Sequence, residues 1–208
     1  ERRFDAATAE CNLCLDDGSR LFAVMDISQQ PSLVIRKHQF HLSSLEELTR
    51  GGLMTSNVRN FLRAAVLAKR NIIVAGGTGS GKTTLLRALM NEIPYHERII
   101  TIEDVAELHL GLPNSVGLLS REPNAEGVGA VSLSALLSHA LRMSPDRIAL
   151  GEVRSVELVA MLDALNTGHS GAGATIHANS LEDVASRIEA LGLRAGLPLP
   201  VIARLVES

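Results

Sequence analysis

Residues 71–84, Asn-Ile-Ile-Val-Ala-Gly-Gly-Thr-Gly-Ser-Gly-Lys-Thr-Thr, restrict the fold more than any other stretch of the chain. An apolar run of strand length stands before a glycine-rich turn, and a helix pattern starts at Lys82. Between them the residues read Gly76-x-x-x-x-Gly81-Lys82-Thr83. Glycines at this density let the backbone wrap tightly, so that the amides from Gly76 and Gly77 through Thr78, Gly79, Ser80 and Gly81 to Thr84 turn inward. Those amides, the helix N-terminus and the Lys82 ammonium balance the charge of a β,γ-triphosphate, and the Thr83 hydroxyl can ligate magnesium. Lysine is scarce here, with only Lys37, Lys69 and Lys82 among the 20 Lys plus Arg, so a lysine at this place is not background composition. A chance glycine-rich turn would have no reason to sit between a strand and a helix.

From Asn71 onward strands and helices alternate. The strands are expected at 71–75, 99–102, 115–119, 147–150 and 172–176, and the helices at 82–92, 132–143, 155–166 and 181–191, with Ser132, Ser155 and Ser180 as N-caps. Short apolar strands without alternation imply burial on both faces, hence an α/β fold with a mainly parallel sheet between helices. Before this region, residues 11–25 read as a β-hairpin around Asp16-Asp17-Gly18-Ser19, and Leu33–Arg36 as another strand. A capping box Ser43-x-x-Glu46 opens a short helix that stops at Gly51-Gly52. The next helix carries Val58, Phe61, Leu62, Ala65 and Val66 on one face. The boundary is expected near residues 38–44. That makes 1–40 the C-terminal remnant of an N-terminal domain plus linker, and 41–208 the nucleotide-binding domain, truncated at its C-terminus. The opening Glu1-Arg2-Arg3-Phe4, without Met, and an ending inside an amphipathic pattern are read as an excerpt of a longer chain.

Composition closes off several classes. Hydrophobic residues at 46% are too many for a disordered chain, and no apolar run approaches the roughly 18 residues of a membrane span. Aromatics at 2% and a net charge of −3 leave no stacking platform or basic stripe for nucleic acid. Cys11 and Cys14 form a lone C-x-x-C with no second pair to complete a zinc site. His169 and His177, eight apart, lack the spacing of a helical metal pair.

A nucleotide hydrolase needs acids to organise magnesium and the attacking water. Glu103, followed by Asp104 and Glu107, ends the strand 99–102, and Glu152 follows 147–150. Both emerge at the carboxyl edge of the sheet, beside the phosphate loop, where open α/β sheets bind ligands. A strand between the loop strand and the Glu152 strand marks the P-loop ATPases with a catalytic glutamate. No Asn-Lys-x-Asp guanine reader follows the loop, and the 120–131 segment holds a single Arg, too few for a basic kinase lid.

Taken together, these motifs resemble the type II/IV secretion-system ATPase family, within it the Flp/Tad-type pilus assembly ATPases. The resemblance covers about residues 17–205. It rests on Leu33-Val34-Ile35-Arg36-Lys37, the phosphate loop, TIEDVAEL at 101–108 (similar to the family's acidic box), LRMSPDRIALGEVR at 141–154 (its Walker B region) and NTGHSGAGATIHANS at 166–180 (its histidine box). It implies a RecA-like P-loop NTPase core, preceded by the last β-strands of an N-terminal domain, that binds ATP and Mg. By position Glu103 would polarise water or hold magnesium through water, Glu152 would be the Walker B acid beside Thr83 on the metal, and His177 would sense the γ-phosphate region. Arg121 resembles a phosphate-facing arginine, and Arg20 and Arg36 resemble arginines that reach the site from the N-terminal side. Ser144 stands where many relatives have a basic residue. The resemblance further implies a homo-hexamer, cytoplasmic and peripheral at the inner membrane. It would act on a secretion or pilus platform protein, with no transmembrane segment and no direct nucleic-acid contact. The alternative is a nucleic-acid translocase on the same core.

Overall fold

The computed structural model describes residues 4–15, 18–37, 44–124, 126–154, 157–166, 168 and 170–207. The expected boundary at 38–44, Ser43, Ser155 and His169 therefore lie mostly or wholly outside the described residues. Among the described residues there are two sheets. The first is antiparallel: β1 (Glu10–Cys14), β2 (Arg20–Val24) and β3 (Ser32–Arg36), in that order. Its register pairs Cys11 with Ala23, and both side chains are buried. Cys11 is thus a free, packed cross-strand residue. The same register sets Arg20 opposite Arg36. Like charges directly opposite in a sheet repel, so the pairing costs energy unless an anion lies near.

The second sheet holds five parallel strands in the order β4 (Ile72–Gly76), β8 (Gly173–His177), β7 (Arg147–Val153), β5 (Ile99–Glu103) and β6 (Ser115–Leu119). The strand standing between the loop strand β4 and the Glu152 strand β7 is β8, from late in the sequence, and not the 99–103 strand that intervenes in chain order. Successive side chains of β5 and β7 divide between two apolar clusters. Ile99 and Ala149 meet Leu45, Val66, Leu86 and Leu89 on one face, while Ile100, Ile148 and Leu150 meet Leu137, Leu158 and Leu191 on the other. This is the period-two pattern of strands buried on both sides, and it explains why their sequences show no alternation.

Helices α1 (Leu45–Arg50), α2 (Ser56–Leu67) and α3 (Lys82–Met90) supply the first face. The second is covered by α4 (Leu133–Ala140), which ends in a 3₁₀ turn at Leu141–Met143, α5 (Glu157–Asn166), α6 (Asp183–Arg194) and α7 (Leu199–Glu207). The capping box of α1 lies one residue later than the sequence suggested. Ser44 Oγ accepts from Glu47 N, and the Glu47 carboxylate accepts from Ser44 N. Ser132 caps α4 as expected, and Ser180 accepts from Asp183 N at the start of α6. The apolar face assigned to α2 is only partly used: Val66 is buried, but Phe61 is 72% exposed and Val58 is exposed as well. Leu62 is half-buried against the same cluster as Val66, so it is the second half of α2 that reaches the core. Ser144 sits in a left-handed conformation ahead of β7, at the edge opposite the carboxylates, and does not line the cavity described below.

Candidate nucleotide site

Parallel strands bring their carboxyl ends to one edge, and four of them deliver chemistry there. Gly76 ends β4, Glu103 ends β5 and His177 ends β8, while Glu152 lies near the end of β7. The cavity at this edge has a volume of about 420 Å³. Its walls include Thr78, Gly79 and Gly81–Thr84 of the phosphate loop, the carboxylates Glu103 and Glu152, His177, and Arg20 and Arg36 from the other sheet. Gly81 is the N-cap of α3 with φ +89°, a left-handed conformation that a side chain would strain. Ser80 Oγ donates to the Gly77 carbonyl at 2.9 Å, and Lys82 Nζ donates to the same oxygen at 2.7 Å, so the ammonium is drawn into the loop.

Glu152 is aimed by a defect in the sheet. Against β8, the register advances from Leu150–Ala174 to Val153–Ile176, so β7 carries one extra residue at Gly151–Glu152. A bulge of this kind turns a side chain away from the pleat. Thr175 Oγ1 donates to the Gly151 carbonyl at 2.5 Å and pins the irregular backbone. A Cβ on residue 151 would stand 2.9 Å from Glu103 Cγ, so the glycine permits the two acidic strands to approach. The sequence reading ended this strand at 150; it runs to Val153, and Glu152 is inside it. Glu152 Oε2 accepts from Arg154 Nη2 at 2.6 Å and Nε at 2.9 Å, and Oε1 lies 3.3 Å from His177 Nε2. Arg154 Nη1 also donates to Asp104 Oδ2 at 3.0 Å, tying the end of β7 to the end of β5.

Glu103 is 5% exposed. Its Oε1 accepts from the amides of Glu107 and Leu108, both at 2.9 Å. Burial pushes its carboxyl up to about 7; the two amide donors and the Arg20 charge oppose the rise, and the Glu107 charge adds to it. Between about 4.5, the value for free glutamate, and about 7 the folded chain therefore binds more protons than the unfolded one. Stability is expected to fall as pH rises through that window, with a slope of at most about 1.4 kcal/mol per pH unit. Urea unfolding at pH 5, 6, 7 and 8 measures it. The slope should flatten in Glu103→Gln, and a slope unchanged in that variant would assign it to another group.

The segment after β5 also joins the two sheets, because Arg20 Nη2 donates to Glu107 Oε1 at 3.1 Å. Arg36, opposite Arg20, lines the same cavity. Arg121 does not. It lies beyond the edge strand β6, is exposed, bridges Val131 and donates from Nε to the Gly129 carbonyl at 2.6 Å. Sequence reasoning left Lys37, Arg87 and Arg154 unassigned, and all three line the cavity. A signal existed for two of them. Arg87 is four residues after Thr83, on the same helix face, and Arg154 is two after Glu152, the spacing that keeps to one side of an extended chain.

A phosphate loop opening α3, with acids on neighbouring strands of one parallel sheet, defines the RecA-like P-loop class. The Type II/IV secretion system protein family matches residues 20–207, and the chain belongs to that family. It is 42% identical to a putative conjugal transfer protein of Mycobacterium tuberculosis, over 86% of this chain and 51% of that protein. It is 40% identical to the type IV secretion system protein PtlH of Bordetella pertussis, over 93% of this chain and 66% of that one. The crystal structure of the VirB11 ATPase from the Brucella suis type IV secretion system, in complex with sulphate, aligns with a TM-score of 0.64 at 33% identity, covering 97% of this chain and 67% of that chain. The pilus retraction motor PilT with bound ADP aligns with a TM-score of 0.66 at 26% identity, covering 94% and 53%. The chain spans about half the length of several curated relatives it matches. Among the described residues no helix is long and apolar enough to cross a membrane.

Proposed function

We propose that the chain is the ATP-hydrolysing core of a motor subunit that powers secretion or pilus assembly across the bacterial envelope. The observation that carries this reading is the meeting, at one cavity, of the phosphate loop, two strand-end carboxylates and arginines from a second sheet. A sulphate-bound and an ADP-bound relative share the fold, which supports phosphate as the ligand class. The residues fit the nucleotide: among the described residues no atom outside the adjacent residues lies within 4 Å of the added Cβ positions at Gly77, Gly79 and Gly81, and Lys82, Arg20 and Arg36 supply positive charge.

In this reading the loop amides and Lys82 hold the β- and γ-phosphates. The Thr83 hydroxyl and the Glu152 carboxylate are oxygen donors suited to magnesium, which when bound neutralises charge on the phosphate oxygens. Glu103 takes the proton of the attacking water at Oε2, since Oε1 is committed to two amides. His177 and Arg154 fix the Glu152 carboxylate from both sides, and Arg20 and Arg36 bring the antiparallel sheet to the phosphates. Residues 1–40 belong with an N-terminal domain and 41–208 with the ATPase core. Family membership supports assembly as a hexamer in the cytoplasm, peripheral at the inner membrane and against a membrane platform protein.

A phosphate-release assay with magnesium and ATP tests the reading. Slow, saturable turnover is expected of this chain, and faster turnover of the full-length protein, rising per subunit with concentration as rings form. A folded full-length protein with no turnover would overturn it. Fluorescence anisotropy with single-stranded DNA separates the translocase alternative: no binding is expected, given the net charge of −3.

A further inference from the structure

Four neighbouring strands of the parallel sheet, β8, β7, β5 and β6, are joined at their carboxyl ends by one run of polar side chains. His177 ends β8, Glu152 and Arg154 stand at the end of β7, Asp104 follows β5 and Ser120 follows β6. His177 Nε2 lies 3.3 Å from Glu152 Oε1. Arg154 donates to Glu152 Oε2 from both Nε and Nη2, and its Nη1 reaches across to Asp104 Oδ2 at 3.0 Å. Ser120 Oγ donates to the other oxygen, Asp104 Oδ1, at 2.8 Å. Every nitrogen of the Arg154 guanidinium therefore has an acceptor, and each oxygen of Asp104 has its own donor.

Stability does not account for this run. The side chains of Arg154 and Asp104 are 56% and 37% exposed, and ion pairs so open to water contribute little to folding. The backbone is held by other bonds: Arg154 N donates to the buried Glu157 at the start of α5, and Ser120 N donates to the Glu103 carbonyl at 2.9 Å. What the run does fix is the direction of a long side chain. An exposed arginine with one acidic partner keeps much of its rotamer freedom. A planar guanidinium stretched between carboxylates on adjacent strands does not. Asp104 is the anchor of the pair, because Ser120 holds it from behind. Arg154, Glu152 and Asp104 all line the phosphate cavity.

Resting on the ATPase reading above, we infer that Asp104 is a positioning residue that acts through Arg154: by drawing the guanidinium from β7 across to β5, it holds the Glu152 carboxylate in the orientation that hydrolysis uses. Asp104 touches neither phosphate nor water in this role. It governs the rate of the hydrolytic step and not ATP affinity, which belongs to the loop and Lys82.

The test is a double-mutant cycle in the full-length protein with Asp104→Ala, Arg154→Met and both together, beside Asp104→Asn. Asp104→Ala should bind a fluorescent ATP analogue within about threefold of wild type and melt within a few degrees of it, while kcat falls about tenfold. Asp104→Asn, whose amide oxygen can still accept from Arg154, should keep at least about a third of wild-type turnover. Arg154→Met should lose at least as much rate as Asp104→Ala, with affinity again kept. In that background Asp104→Ala should change kcat by less than about twofold, because the side chain it acts through is gone. Turnover of Asp104→Ala within about twofold of wild type would overturn the inference, and so would losses that multiply in the double variant. Loss of analogue affinity in either single variant would overturn it as well, by showing a direct phosphate contact or a structural strut. Wild-type protein that binds ATP without turning it over would sink the underlying reading instead, so the wild type run beside the variants tells the two failures apart.

Discussion

Glu152→Gln is expected to leave ATP bound and to cut turnover by about 10² or more. The amide keeps the shape of the carboxylate and can still accept from Arg154, so the bulged backbone at Gly151–Glu152, held by Thr175, has no reason to move. What is lost is a negative charge that Arg154 and His177 flank from opposite sides. The Arg154 side chain is 56% exposed, so the broken ion pair should cost under about 1 kcal/mol of stability. The effect should therefore appear in rate, where charge develops, and hardly in melting temperature. Calorimetric affinity and phosphate release on the same preparation measure the split. If affinity and rate fall together, Glu152 is a ground-state anchor for magnesium. If turnover is unchanged, the acid that matters is Glu103 alone.

The strands were legible because burial on both faces writes them as uninterrupted apolar runs, and the parallel sheet followed from their alternation with helices. Strand order was less accessible. Chain order puts 99–103 between the loop strand and Glu152, whereas in space β8 occupies that place and brings His177 beside Glu152. Nothing local in residues 172–177 encodes which neighbours they pair with. The acids were found because a carboxylate at the end of an apolar strand has one edge to emerge from. The cations that serve them were harder, since an arginine's destination depends on what it packs against. Arg20 and Arg36 were placed by resemblance, and their cross-strand register explains how two arginines arrive together. Arg87 reads as the polar side of an ordinary helix until burial shows it inside. Arg121, placed near phosphate by the same resemblance, follows the edge strand β6 and does not line this cavity. The α2 face is used only in its second half for the complementary reason: helical spacing marks which side chains align, but not how much of the helix lies over a core.

Lys82→Ala is expected to weaken ATP binding roughly ten- to a hundredfold, the range that a lost charge-assisted contact of about 1.5–3 kcal/mol implies. Lys82 is 9% exposed, and its Nζ is held 2.7 Å from the Gly77 carbonyl, so the ammonium is already drawn into the loop and little ordering is needed to meet a phosphate. The loop should survive the change. Ser80 also donates to Gly77, Gly81 still starts the helix, and alanine is a strong helix former at the first position of α3. The melting temperature should consequently stay within a few degrees of wild type, which separates lost binding from lost folding. The variant should lose affinity for ATP and ADP alike and leave affinity for adenosine unchanged, because the missing charge faces phosphate and not the base. Titration calorimetry with the three ligands reads this directly. Unchanged ATP affinity, or an equal loss for adenosine, would remove the phosphate loop from the site and the ATPase assignment with it.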